Sequence, residues 1–253
     1  MTVEQLAKKL DEIISPELSE AWDNDGRMII PDPNAEVTRV LCTLDCTTYA
    51  IRNAIHLGCN VIITHHPLVF KPLGRVTPDD SVGKRVIECI KNNIAVLSYH
   101  TRLDSMEGGV NDVLAETIGL TNVSAFLPYG RIGDYEPCNL KDFAEQVSDS
   151  IQIPYEELIL VHSYKKVRRV ALVSGCGKDE IAAAIKAGAD TFLTGEVMHN
   201  HLIDCKELGL NLVCATHYGT ERVIVPVLKE MIENMGIESF VFTYKPDAEM
   251  EII

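Results

Sequence analysis

Four short stretches of the chain hold side chains able to bind a cation or move a proton: ITHHPLVF (Ile63 to Phe70), HTRLD (His100 to Asp104), GEVMHNH (Gly195 to His201) and ATHYGTE (Ala215 to Glu221). Neighbouring residues of an extended strand point to opposite faces, so His65 and His66 can serve one site only where the strand has already turned. Pro67 supplies that turn. In HTRLD and HYGTE a histidine stands four residues before a carboxylate, His100 before Asp104 and His217 before Glu221. On a helical turn that spacing sets the two Cβ atoms about 6 Å apart on one face, within reach of a common ion. The later pair suits this best, because TERVIVPVLKEMIENMG reads as helical apart from Pro226. Imidazole and carboxylate donors without a thiolate select Zn, Mn, Fe, Co or Ni over copper(I) or iron–sulfur chemistry. The donors outnumber the needs of one tetrahedral ion; two divalent ions about 3.5–4 Å apart would use them all and would suit the activation of water. His199 and His201 have a weaker claim, and His56 and His162 read as surface histidines.

Something must hold these stretches together, and the chain shows it as a repeat. RVLCTLDCTTYAIRNAIHLGCNVIIT, from Arg39, aligns without a gap on RVALVSGCGKDEIAAAIKAGADTFLT, from Arg169, at a constant offset of 130 residues. Arg39, Val40, Cys46, Ile51, Ala54, Ile55, Gly58 and Thr64 fall on Arg169, Val170, Cys176, Ile181, Ala184, Ile185, Gly188 and Thr194. Each copy reads as apolar strand, loop, helix, glycine stop and apolar strand, which is a βαβ unit. A further helix and strand follow each copy, AVLSY leading to His100 and LVCAT to His217. The fold class is therefore α/β: two related lobes with mainly parallel sheets, expected over residues 1–125 and 126–253 as one compact unit. Ligands of such sheets bind outside the carboxyl ends of the strands. His65, His66, His100, Asp104, Gly195, Glu196, His217 and Glu221 all stand at those ends.

Composition narrows the function classes. The 253 residues are 46% hydrophobic and 24% charged, an ordinary globular balance with room for one large or two modest cores. MTVEQLAKKLDEII is an amphipathic helix pattern, and no apolar stretch approaches the roughly 20 residues of a membrane span, so a cytoplasmic protein is expected. A net charge of -14 disfavours binding to phosphate backbones. The one compact basic run, KKVRR (Lys165 to Arg169), flows into apolar ALVSG and reads as a hairpin or strand edge. The eight cysteines include no CxxC pair, which excludes zinc-ribbon and thioredoxin-type motifs and leaves them as small buried hydrophobes.

AWDNDG, LDCT, ITHHPLVF, HTRLD with the following GGVND, GRIGD, LTGEVMHN and ATHYGTE together resemble the Nif-three-like dinuclear metal centre family, many of whose members are named homologues of GTP cyclohydrolase 1 type 2. The likeness spans nearly the whole chain. It departs where Gly26 is followed by Arg27 and where His199 is followed by Asn200 instead of a second histidine. The resemblance implies two related lobes facing a shared metal cleft and a ring-shaped homohexamer. The middle of this chain is too short for the extra domain that longer members carry. It further implies that His65, His66, Asp104, His217 and Glu221 bind two metal ions, with His100 beside them as an outer partner or proton carrier.

The function so implied is a metal-dependent hydrolase, GTP cyclohydrolase-like, using activated water on a small molecule. His100, and after it Glu196, would act as general acid or base, and Arg131 of GRIG would neutralise an anionic substrate. GTP itself rests on the resemblance alone, since the chain holds no G-x-x-x-x-G-K-[ST] phosphate loop. The alternative is a non-catalytic metal-binding or scaffold protein that stores, delivers or senses metal.

Overall fold

A computed structural model describes residues 1–243. In chain order the helices are α1 (Val3–Ile13), α2 (Thr48–Leu57), α3 (Ser81–Lys91), α4 (Thr101–Ser105), α5 (Val110–Thr117), α6 (Leu140–Ile151), α7 (Ile181–Lys186), α8 (His199–Leu208), α9 (His217–Glu221) and α10 (Ile224–Glu233). The strands are β1 (Gly26–Ile29), β2 (Val40–Thr43), β3 (Val61–Thr64), β4 (Ala95–Ser98), β5 (Thr121–Ala125), β6 (Arg131–Cys138), β7 (Ile159–Val161), β8 (Val167–Val173), β9 (Thr191–Thr194), β10 (Asn211–Cys214) and β11 (Ser239–Phe242). None of these helices is long and apolar enough to cross a membrane.

The described residues form two compact units, Met1–Leu103 together with 224–243, and Asp104–Val223. This differs from a single change-over at 125/126, a position that lies between β5 and β6 inside the second unit. The reason is a return of the chain: β11 pairs in parallel with β2, Ser239 opposite Val40, and α10 packs over β2 and β11.

The first unit is a five-stranded sheet in the order β1-β4-β3-β2-β11. Its centre is parallel, and only β1 runs against its neighbour β4. Every residue of β2, β3 and β4 is buried, as expected of parallel strands covered on both faces. Thr47 starts α2 by accepting from the Ala50 amide, Gly58 ends it at φ 69°, and the helix turns Ala50, Ile51 and Ala54 inward. The core on that face gathers Leu41, Ile51, Ile62, Cys89, Ile94 and Val96.

The second unit is a six-stranded sheet, β5-β6-β8-β9-β10-β7, parallel through β8, β9 and β10 and antiparallel toward both edges. Helix α6, capped by Asn139, buries Leu140, Phe143, Ala144, Val147 and Ile151 against this sheet's core. The repeat is exact in register. Val40 stands opposite Val61 in the first unit, and Val170 opposite Thr191 in the second, each residue displaced by the sequence offset of 130.

The KKVRR run opens β8, with the backbone amides of Arg168 and Arg169 donating to the Asp190 carboxylate. All eight cysteines are free thiols and six are buried, whereas Cys138 is half-buried and Cys176 exposed. The expectation of eight buried thiols therefore holds least for Cys176, which lies in the loop after β8.

Candidate metal centre

In the first unit β3 ends at Thr64, so His65 and His66 leave the strand as a turn. The Thr64 hydroxyl closes that turn on the His66 carbonyl at 2.7 Å, and the His66 amide donates to Leu44 O at 3.0 Å. His100 follows β4 by two residues. The three rings gather with centroids 5.0, 5.3 and 5.7 Å apart. One ring nitrogen from each lies within 4.8 Å of the others, a group able to hold a metal ion. His65 is fully buried.

What orients the rings is legible from their other nitrogens. Nδ1 of His65 lies 3.3 Å from Tyr99 O, Nδ1 of His66 2.9 Å from Asp45 Oδ1, and Nδ1 of His100 2.9 Å from Asp23 Oδ1. Each partner is an oxygen that only accepts, so in each ring Nδ1 donates, and that bond fixes how the ring is turned. Asp23 is itself fixed by Thr101, whose backbone N–H and hydroxyl donate at 3.1 and 2.6 Å. Burial alone would raise the Asp23 carboxyl; the bonds from His100 and Thr101 outweigh it and hold the group well below the usual carboxylate range. His100, expected as an outer partner or proton carrier, lies directly beside His65 and His66.

In the second unit His217 and Glu221 occupy the ends of α9. His217 Nε2 lies 3.1 Å from Glu221 Oε2, and its Nδ1 3.3 Å from Glu196 Oε1. Two donors each about 2.0–2.2 Å from one ion stand about 3–3.5 Å apart, so the His217–Glu221 spacing fits neighbouring ligands of a single cation. Glu196 is largely exposed beside the outer nitrogen, where it orients the ring. Glu221 is only 4% exposed. The backbone makes room for it: Gly175 sits at φ 58°, and a Cβ there would lie 2.1 Å from Glu221 Oε1 and 3.2 Å from His217 Nε2. Thr216, immediately before His217, holds φ 62° and ψ 147°, a sparsely populated conformation kept by its hydroxyl accepting from the Gly219 amide at 3.0 Å.

Asp104 lies half-buried in α4, its carbonyl accepting from the Asn111 side-chain amide at 3.2 Å. The same Asn111 accepts from the Ser174 amide at 2.8 Å, tying the start of α5 to the end of β8. Arg131 is not placed as an anion receptor. It is 6% exposed, and its guanidinium is forked onto Asp112, through Nε and through Nη2 at 2.9 Å, with the carbonyls of Met106, Pro128 and Gly130 around it. Substrate could recruit it only by breaking that pair. Burial would raise the Asp112 carboxyl, but Arg131 and the Gly108 amide lower it. A lowered folded-state value stabilises above the unfolded value and is lost as pH falls through the folded one. Asp112→Asn should therefore lose stability at pH 7 by about 1–3 kcal/mol, a deficit that narrows only as pH falls below the ordinary carboxylate range, as read by urea unfolding over a series of acidic pH values.

His56, His162 and His199 are exposed, and His201 Nδ1 accepts from the Met198 amide at 3.1 Å. Asp23, Asp45, Asn111 and Gly175 were not singled out from the sequence, although three of them lie in stretches that carried the resemblance: AWDNDG, LDCT and GGVND.

The family model described as Duf34/NIF3 (NGG1p interacting factor 3) matches residues 1–247. The chain belongs to the DUF34/NIF3 family. Among curated DUF34/NIF3 relatives, the GTP cyclohydrolase 1 type 2 homolog of Clostridium acetobutylicum is 32% identical over 94% of each chain. The NGG1-interacting factor 3 of Saccharomyces cerevisiae is 28% identical over 86% of this chain and 85% of its own. Among solved structures, Staphylococcus aureus protein SA1388 superposes with a TM-score of 0.90 at 28% identity, covering 100% of this chain and 99% of that one. Reduced HcgD from Methanocaldococcus jannaschii does so with a TM-score of 0.82, again at 28% identity, covering 95% and 97%.

Proposed function

We propose that this DUF34/NIF3 chain is a dinuclear metal-dependent hydrolase, GTP cyclohydrolase-like in its chemistry, whose two ions are held jointly by His65, His66, Asp104, His217 and Glu221. The observation that carries the reading is the gathering of the histidine triad, one ring nitrogen of each within 4.8 Å of the others and each Nδ1 held by an oxygen. The His217–Glu221 spacing and the duplication of the strand ends support a second set of donors for the same centre. Divalent ions there would supply Lewis acidity and an activated water at neutral pH. In this reading His100, and after it Glu196, move protons near such donors. The names of the curated relatives support a nucleotide substrate. A cytoplasmic homohexamer is part of the same reading.

The experiment is to strip the protein with chelator, reload it with Zn, Mn, Fe, Co or Ni singly, measure bound metal, and assay GTP, phosphodiesters and cyclic amides. Turnover that follows metal content and disappears in His66→Ala supports the hydrolase. Tight, exchangeable metal with no turnover on any substrate supports the storage or scaffold alternative. Protein that stays metal-free after reloading, with its fold intact, overturns the centre itself.

A further inference from the structure

The only tryptophan of the chain, Trp22, is 63% exposed, an unusual position for so large an apolar surface. It stands beside Phe70, itself 45% exposed, with centroids 6.1 Å apart and planes at 75°. Both rings also meet His100 edge-on, at 6.1 and 6.0 Å. Local bonds hold this corner together: the Asn24 side-chain amide donates to Val69 O, and the Asp23 carboxylate next to Trp22 carries His100. An aromatic corner is therefore built against the histidine triad and left open to solvent.

Phe70 also lines an open cleft of about 870 Å³ whose charged lining is Asp45, Asp80, Lys71, Arg75 and Arg85, with Asp80 taken up in capping α3 through the Gly83 amide. Asp45 is the carboxylate that orients His66, so the cleft begins at the triad. Arg85 is committed to the wall, donating to Ser81 O and Cys46 O at 3.0 Å. Lys71 and Arg75 are exposed and form no ion pair with a described residue. On a chain of net charge -14, two unneutralised cations beside one cleft are a local inversion of sign, which attracts an anion. The loop carrying them is seated on α3 at Gly83, where a Cβ would meet Thr77 O at 2.6 Å.

We propose that Trp22, Phe70, Lys71 and Arg75 form the substrate subsite of this unit: a planar heterocycle packs against the aromatic corner while its phosphate-type anion rests on the two cations. This rests on the hydrolase reading for the chemistry at the triad, and it adds the residues that choose the substrate. The geometry sets the ring, and not the anion, next to the imidazoles. An attack on a ring carbon is thereby favoured over one on a phosphate.

Trp22 emission gives a direct titration. Because phosphates also ligate cations, it is done on chelator-stripped full-length protein, with GTP, ATP, inorganic tripolyphosphate and guanosine as probes. GTP and ATP should shift Trp22 emission saturably. Lys71→Ala/Arg75→Ala should weaken GTP, ATP and tripolyphosphate about tenfold or more while leaving guanosine within about twofold. Phe70→Leu should weaken the nucleotides and guanosine but not tripolyphosphate. Metal content of each reloaded variant, equal to the parent's, certifies an intact triad. If neither nucleotide binds, or the double variant binds all probes like the parent, the subsite is overturned while a loaded metal centre leaves the hydrolase reading standing. If the pattern appears in a protein that takes no metal, the hydrolase reading falls and the subsite remains. If Trp22→Phe lowers the oligomer size while its probe affinities, read by calorimetry because no tryptophan is left, equal the parent's, the aromatic corner joins copies of the chain and the proposal is overturned.

Discussion

Alanine at position 175 is expected to cost the protein about 10- to 100-fold or more in metal affinity, the range seen when groups supporting metal ligands are removed. The cause is a collision with little freedom to relax. The new Cβ would lie 2.1 Å from Glu221 Oε1, more than 1 Å inside ordinary contact, and Glu221 is only 4% exposed. The neighbourhood is crowded as well: Gly195 donates to Gly175 O at 2.9 Å, and Gly175 N donates to Thr220 Oγ1 at 3.0 Å. The carboxylate must therefore leave its place beside His217 Nε2. A second effect, the left-handed backbone at φ 58°, adds about 1–2 kcal/mol of strain for any L side chain. Gly188→Ala separates the two effects. That residue has φ 88° with nothing within 4 Å of the added carbon. It should carry the backbone cost alone, lowering urea stability while binding metal like the parent. Metal titration of both variants decides the matter: equal affinities would show that Glu221 is not a ligand.

Which parts of this architecture could be read from the chain follows from how local their causes are. The βαβ repeat was legible because its determinants are short-range: apolar runs of four residues, Thr47 before a helix, Gly58 and Gly188 after one. Its offset of 130 reappears unchanged in the pairing of β2 with β3 and β8 with β9. The third strands are offset by 116, from Ala95 to Asn211, whereas the histidines that follow are offset by 117, from His100 to His217. The second copy thus spends one more residue between strand and histidine, and Thr216 with its positive φ is in that extra step. A motif comparison sees the displacement but not the strained backbone that absorbs it. The return of β11 to β2 was not legible, because a four-residue strand at the end of a chain has no local mark of its partner 199 residues away, from Val40 to Ser239. Arg131 was misleading for a similar reason. Its partner, Asp112, lies 19 residues upstream, and a buried arginine and an anion-binding arginine look the same in sequence. The supports of the imidazoles, Asp23 and Asp45, were likewise hidden by separations of 77 and 21 residues.

The same long-range logic makes Arg102 the residue on which the first unit should be most sensitive. Its side chain is 8% exposed and spans two segments: Nε lies 2.9 Å from both oxygens of Asp25, and Nη1 2.8 Å from Asp11 Oδ1 and 3.4 Å from Ile14 O, both at the end of α1. Asp25 is 4% exposed, so its charge has little water to turn to. Burial opposes the charge on Arg102, but the bonds to Asp25 and Asp11 more than restore it and raise its pKa above the ordinary arginine value. Removing one member of such a pair leaves the other buried and uncompensated, which costs about 3–5 kcal/mol. Arg102→Met should lose that amount in urea unfolding. Because Asp23 and Asp25 are two residues apart and bind His100, Thr101 and Arg102 in turn, the loosened segment should also release His100 from its orientation. Adding Asp25→Asn removes the stranded charge and should return a substantial part of the stability, though not the orientation of His100. A loss under about 1 kcal/mol in the single variant, the size of an exposed ion pair, would show that water reaches Asp25 and that AWDNDG and HTRLD are not locked together through this arginine.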